Sequence, residues 1–299
     1  MTSCSPAPRT WFGWLGLLIL AAAVGCRPPL ESTPEAVGVP LLEQDPMEDG
    51  VGADVWPCWR GRNGSGIAPG GNPAVRFSDS EGFRWKVEVP GEGYSSPVVW
   101  GDSVLLTTAL DETNPSTLAI LCYQRSDGRL AWRADAGSAM GPTHNKNGHA
   151  SATVATDGEQ IYAFFGSTGL FCYDFSGEQL WRAELGDLSH MWGTAASPVL
   201  YENLVIQVCD SKANSYIAAF DAASGERVWR TDRRSDGCWS TPVLVQAEID
   251  GAPREELVVN GTGAGDDRGR LITAYDPNDG RQLWQVWGTT RWVTPTPMV

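Results

Sequence analysis

Apolar residues come in short bursts of about five positions, each set off by Gly, Pro, Asp or Asn. Val104-Leu105-Leu106-Thr107-Thr108 follows the turn at Gly101-Asp102. Ile161-Tyr162-Ala163-Phe164-Phe165 follows Asp157-Gly158, and Leu204-Val205-Ile206-Gln207-Val208 follows Glu202-Asn203. Bursts of this length, rich in β-branched and aromatic residues and bounded by turn formers, predict strands. Phe83 to Val89 alternates in the same sense and is read as a further strand. Beyond the amino-terminal region no stretch carries the 3.6-residue apolar period of a helix.

The bursts belong to a repeat. The stretch Ala219 to Trp229 reads A-x-D-x-x-S-G-x-x-x-W, and Ala274 to Trp284 follows it closely. Cys172 to Trp181 is one residue shorter, and Cys122 to Trp132 is looser. In every copy the Gly (128, 177, 225, 280) stands four residues before the Trp (132, 181, 229, 284), and the Trp positions are 49, 48 and 55 residues apart. Asp holds a tight turn by bonding nearby backbone, and Gly supplies the positive φ such turns need. The motif is therefore a hairpin closed by a large aromatic. A second phrase opens each unit: Ser95-Ser96-Pro97-Val98, Ser151-Ala152-Thr153-Val154, Ala196-Ser197-Pro198-Val199, Ser240-Thr241-Pro242-Val243 and Thr294-Pro295-Thr296-Pro297. Each unit thus reads as four short strands. A period near 48 with four strands per unit predicts an all-β fold, a β-propeller of four-stranded blades. Packed sandwiches would also supply many short strands, but not the repeated openings and closings. Trp85, 47 residues before Trp132, is read as the end of a degenerate first unit. About five blades are expected, in an incomplete ring. A small closed ring of four or five blades is the rival reading.

The closing motif resembles the tryptophan-docking repeat of the quinoprotein-like (PQQ-type) β-propellers, over about residues 80–299. The resemblance implies that Trp132, Trp181, Trp229 and Trp284 wedge between neighbouring blades. The turns receiving them would be shaped by Asp174, Asp221 and Asp276 with Gly128, Gly177, Gly225 and Gly280. Gln124 replaces Asp in the first copy and a residue is deleted before Ser176, so those two turns are expected to be less regular. Quinoprotein dehydrogenases of this fold use two adjacent cysteines, a calcium held by Asp, Glu and Asn, and a general-base Asp. This sequence has no adjacent cysteine pair. Asp266-Asp267 lies in a Gly-rich turn and is read as part of a solvated hairpin. No cofactor is therefore expected, and PQQ with calcium stands only as the alternative.

The amino terminus changes the picture of where the protein works. Arg9 precedes an apolar run, Trp11 to Val24, that is short for a membrane span. Ala23-Val24-Gly25-Cys26 resembles the lipobox of bacterial lipoproteins. Residues 1–25 are read as a lipoprotein-type signal peptide and Cys26 as the lipidation site. An ordinary signal peptide or an uncleaved anchor are the alternatives. Residues 26–54, rich in Pro and acids, read as an extended tether, and residues 55–299 as the repeat domain. Localisation follows: an exported protein, lipid-anchored to a bacterial-type membrane and facing the periplasm or the exterior. The formal net charge of −14 argues against nucleic acid, which needs clustered cations. Cys122 and Cys172 stand where Ala219 and Ala274 occur in other copies, which favours small buried residues. Two Trp, a Cys and a Gly-rich turn in residues 56–69 suggest an ordered segment packed on the domain edge.

Candidate chemistry is sparse. His144, Asn145, Asn147 and His149 fall in the loop opening the third unit, and His190 in the equivalent place of the next. Loops that open blades line one end of a propeller channel, so these residues could converge on a ligand or metal. The alternative is that they bond their own loop backbone. No metal site follows from the spacing. No nucleophile elbow or phosphate loop is present; Gly261-Thr262-Gly263-Ala264-Gly265 is followed by no helix. The functional expectation is a non-catalytic scaffold that binds envelope proteins, similar to the propeller lipoproteins of outer-membrane β-barrel assembly. The alternatives are a PQQ-dependent dehydrogenase-like protein and a small-molecule-binding propeller.

Overall fold

The apolar bursts pair in sequence order because tight turns join each to the next. In the computed structural model they form four antiparallel sheets, each a simple meander. The first holds β1 (Val98–Trp100), β2 (Ser103–Leu110), β3 (Thr117–Gln124) and β4 (Leu130–Ser138). The second holds β5 (Ala155–Thr156), β6 (Gln160–Phe164), β7 (Leu170–Asp174) and β8 (Gln179–Ala183). The third holds β9 (Val199–Tyr201), β10 (Leu204–Cys209), β11 (Tyr216–Asp221) and β12 (Arg227–Asp232). The fourth holds β13 (Val243–Ile249), β14 (Ala252–Asn260), β15 (Leu271–Tyr275) and β16 (Gln282–Trp287). These are four blades of an incomplete β-propeller. The structure describes residues 55–68, 74–78, 80–237, 239–262, 271–290 and 292–298, all within the unit Glu48–Val299. The expected signal peptide, Cys26, the tether and Asp266-Asp267 lie outside the described residues.

Burial follows position in the blade. Every residue of β10 is buried, because each of its faces packs on a neighbouring blade. That is why the middle strands read as continuous apolar runs rather than alternating ones. The outer strand β12 instead alternates around buried Trp229. One apolar cluster joins the first two blades through Ile120, Ile161 and Phe171. Another joins Tyr162 and Trp181 to Val205, Phe220, Leu257 and Tyr275, running from the second blade to the fourth. Among the described residues the helical content is two single 3₁₀ turns, Arg62–Gly64 and Gly166–Thr168.

Three expectations need correction. Phe83 to Val89 forms no strand: no inner strand lies beside it among the described residues to complete a ladder. Thr294 to Met298 likewise forms no strand, so about five units become four complete sheets among the described residues. The segment expected at the domain edge instead lies against the inner strands. Trp56 exchanges both backbone hydrogen bonds with Val99 of β1, at 2.7 and 3.0 Å, and the Pro57 carbonyl accepts from Thr156 N of β5 at 2.9 Å. The Arg62–Gly64 turn packs near β13. An unpaired inner edge offers free N–H and C=O groups, and this segment satisfies several of them.

Candidate functional site

The two repeated phrases do separate physical jobs. In the closing phrase, each outer-strand Trp lies across the ladder from a small buried residue: Cys122 from Trp132, Cys172 from Trp181, Ala219 from Trp229 and Ala274 from Trp284. A bulge follows that pair in all four blades. The small partner leaves room for the indole, and the bulge re-aims the strand end. Three indoles then donate to a carbonyl in the next blade: Trp132 to Phe175 at 2.9 Å, Trp181 to Ala222 at 2.8 Å, and Trp229 to Pro277 at 3.0 Å. Each acceptor is the residue after the motif Asp.

The Asp side chain sets that carbonyl. Asp221 Oδ1 accepts from Ser224 N and Ser224 Oγ, both at 2.8 Å, and Asp174 Oδ1 likewise accepts from Ser176 and Glu178 N. Asp276 Oδ1 accepts from Asn278 N at 3.0 Å. The Ser176 and Ser224 hydroxyls hold the Asp174 and Asp221 carboxyls below the usual range. Gly then gives the indole a flat floor. A Cβ on Gly177, Gly225 or Gly280 would lie 2.9, 2.6 or 2.4 Å from the ring of Trp132, Trp181 or Trp229. The two irregular copies keep the geometry. Gln124 retains the backbone pattern, with Gly128 N donating to Gln124 O at 2.8 Å, and the shorter copy makes a tighter turn from Gly177 N to Asp174 O at 3.1 Å. Trp85 docks on the first blade in the same way, bonding Arg125 O at 2.9 Å over Gly128. Trp284 differs: its indole donates to Glu256 Oε2 of its own blade at 2.6 Å.

The opening phrase supplies a second link. Ser96 N donates to Thr153 Oγ1 at 2.9 Å, Thr153 N to Ser197 Oγ at 3.0 Å, and Ser197 N to Thr241 Oγ1 at 3.0 Å. Each hydroxyl belongs to the next blade, which explains why Ser or Thr recurs there. Tryptophans tie the outer strands and hydroxyls tie the inner strands, so the loops at the blade openings are held close together.

Those loops border an open cavity of about 520 Å³. Its walls are aromatic: Trp59, Tyr94, Trp192, Trp239 and Trp292. Trp59 comes from the amino-terminal segment, where its indole donates to Thr296 Oγ1 at 2.9 Å. Trp239 is fixed by a 2.9 Å bond from its indole to Gly193 O. Tyr94, Met140, Met191 and Trp292, all on this loop cluster, are exposed, so apolar surface continues around the opening loops. Lys146, Asn147, Ser151 and three threonines supply the polar lining, and no Asp or Glu is among the described lining residues.

Of the predicted site residues, only Asn147 lines the cavity. Its amide donates to Trp192 O at 2.7 Å and accepts a short hydrogen bond from Ser151 Oγ. His144 stacks on Trp192, with ring centroids 3.8 Å apart, and its Nδ1 accepts from Lys146 N at 3.2 Å. His190 is buried; its Nδ1 accepts from Trp192 N at 3.1 Å, and its ring meets Trp239 edge-on at 4.9 Å. His149 is half-buried and Asn145 exposed. His144 and His190 thus bond their own loops and pack against the outside of the aromatic wall. Burial lowers the pKa of His149 and of His190, the latter helped by Lys212 and opposed by Asp236. Among the described residues no three His, Cys, Asp or Glu cluster as a metal site. Burial pushes the Cys58 thiol up to about 11, which keeps it protonated and poorly nucleophilic.

The aromatic walls were the feature missed from the sequence. A signal was available: Tyr94 and Trp239 stand three residues before the Pro of their opening phrases, and Trp292 three before Pro295. The walls suit a flat ring, but the described lining residues include no carboxylate of the kind that holds calcium.

Comparison with known proteins agrees with this architecture. No curated protein matches the chain. Among solved structures, quinohemoprotein alcohol dehydrogenase from Comamonas testosteroni is similar at 17% identity and TM-score 0.50, covering 79% of this chain and 41% of that one. BamB from Moraxella catarrhalis is similar at 17% identity and TM-score 0.48, covering 69% and 55%. A europium-containing methanol dehydrogenase is similar at 16% identity and TM-score 0.43, covering 66% and 42%. This chain therefore spans about half the length of these structures, and the likeness to the Comamonas enzyme is one of fold. The family described as "Outer membrane protein assembly factor BamB" matches residues 67–248 and 117–290, most of the repeat region, and the chain belongs to that family.

Proposed function

We propose that this protein is a non-catalytic propeller scaffold that binds other proteins of the cell envelope. The observation that carries this reading is its membership of a family described by a role in outer membrane protein assembly. The loop face fits it. Tyr94, Met140, Met191 and Trp292 are exposed there, and aromatic and Met side chains are enriched where proteins meet. The sequence also lacks the adjacent cysteines of the dehydrogenases, and the described lining residues of the cavity include no carboxylate. Cys26, carrying lipid, would hold the scaffold at the membrane, and residues 26–54 would let it stand clear of the bilayer. No helix among the described residues is long and apolar enough to cross a membrane.

A second reading, a quinone-dependent dehydrogenase, is favoured only by the aromatic walls of the cavity. The test is direct. Purified protein is mixed with PQQ, calcium and a panel of alcohols, and dye reduction is followed. The scaffold reading predicts no turnover above protein-free controls. Sustained dye reduction that depends on the protein would overturn it.

A further inference from the structure

The polar groups of the cavity fall into two sets. One set already takes part in hydrogen bonds within the protein. Asn147 bonds Trp192 O and Ser151, Thr241 Oγ1 accepts from Ser197 N, and Thr296 Oγ1 accepts from Trp59. The other set has no hydrogen-bond partner among the described residues: the Lys146 ammonium, the Tyr94 and Thr294 hydroxyls and the Trp192 indole N–H. An ammonium and an indole N–H only donate, and a phenol donates readily. No Asp or Glu is among the described lining residues, so the charge these residues offer a ligand is positive.

A ligand matching such a site is flat, apolar and acceptor-rich. Indole faces favour offset or edge-on contact with another π-system, and a free ammonium favours an anion through a charge-assisted hydrogen bond. A cationic ligand, which Trp faces alone would attract, is disfavoured by Lys146. A neutral sugar would leave the Lys146 ammonium without an anionic partner. The volume, about 520 Å³, falls within the ~300–1,000 Å³ of small-molecule sites. We propose that this cavity binds a small aromatic carboxylate without any metal, its ring among Trp192, Trp239 and Trp292 and its carboxylate on Lys146. The inference is independent of the scaffold reading, since a protein could bind partners on the rim with or without a ligand in the cavity.

The experiment uses the full chain and three probes: 2-naphthoate, its neutral isostere 2-naphthamide, and the cation 2-naphthylmethylamine. Binding is followed by calorimetry and by quenching of indole fluorescence, with EDTA present throughout. The expected result is saturable binding of naphthoate, roughly tenfold tighter than the amide, with the amine weakest. Lys146→Gln, at an exposed position, should erase the preference for naphthoate over the amide while the melting temperature stays unchanged. Trp192→Leu should weaken naphthoate and amide alike. The proposal is overturned by no saturable binding, by equal affinity for acid and amide, by a preference that survives Lys146→Gln, or by binding that appears only when calcium is restored.

Discussion

Gly225→Ala isolates the contact between blades. Gly225 has φ +73°, and an added Cβ would lie 2.6 Å from the Trp181 ring. Two penalties result. An L side chain in the left-handed region costs about 1 kcal/mol. Forcing a methyl into a packed aromatic contact costs about 1–3 kcal/mol more, giving a loss of about 3 kcal/mol. Gly101 is the control: it has φ +56° and nothing within 4 Å of an added Cβ. Gly101→Ala should therefore lose only the strain, about 1 kcal/mol. Urea titrations with unchanged slopes would read both values as midpoint shifts. A double-mutant cycle sharpens the result. In a Trp181→Leu background the ring is gone, and Gly225→Ala should fall to about the Gly101→Ala value. Equal losses at the two glycines, or strict additivity with Trp181→Leu, would refute the assignment of Trp181 to the turn of the following blade.

The remaining predictions concern other links. Ser197→Ala removes the buried acceptor of Thr153 N and should cost about 1–3 kcal/mol by urea denaturation, with Ser197→Thr close to wild type. Arg233→Met strands Asp210, which is 1% exposed, accepts from Arg233 Nε at 3.0 Å and has no other cation within ion-pair distance among the described residues. It should cost about 3–5 kcal/mol, and a loss below about 1 kcal/mol would contradict the buried pair. For pH, the His149 and His190 values are lowered on folding, so the unfolded chain takes up protons first as pH falls. Stability should be level above the ordinary histidine value of 6.5 and decline below it. Asp174 and Asp221, also lowered, add a second decline below the ordinary value of 3.8. Urea midpoints that do not change between pH 8 and pH 5 would contradict the histidine part.

The blade architecture was legible because its determinants are local. Asp221, Ser224 and Gly225 build one turn within five residues, and the same chemistry recurs at a fixed spacing. The smallness of Cys122, Cys172, Ala219 and Ala274 was also visible, and its cause is the Trp directly across the ladder. What escaped depends on partners distant in sequence. Phe83 to Val89 alternates like a strand but has no neighbour to pair with among the described residues, while Trp85 keeps its docking role. The histidines drew attention by residue type, yet His144 and His190 satisfy their own loops and back the aromatic wall. The cavity needs Trp59 beside Thr296, 237 residues apart, which no local pattern reports.

The loop face is the central functional claim, and site-specific photo-crosslinking tests it most directly. A benzophenone amino acid is placed at Met191, exposed beside cavity-lining Trp192, and separately at Val228, exposed on the outer strand β12. Both variants are expressed in the native envelope and irradiated, and adducts are identified by mass spectrometry. The scaffold account predicts one defined protein adduct at Met191 and none at Val228. No adduct at Met191, or the same adducts at both positions, would contradict it.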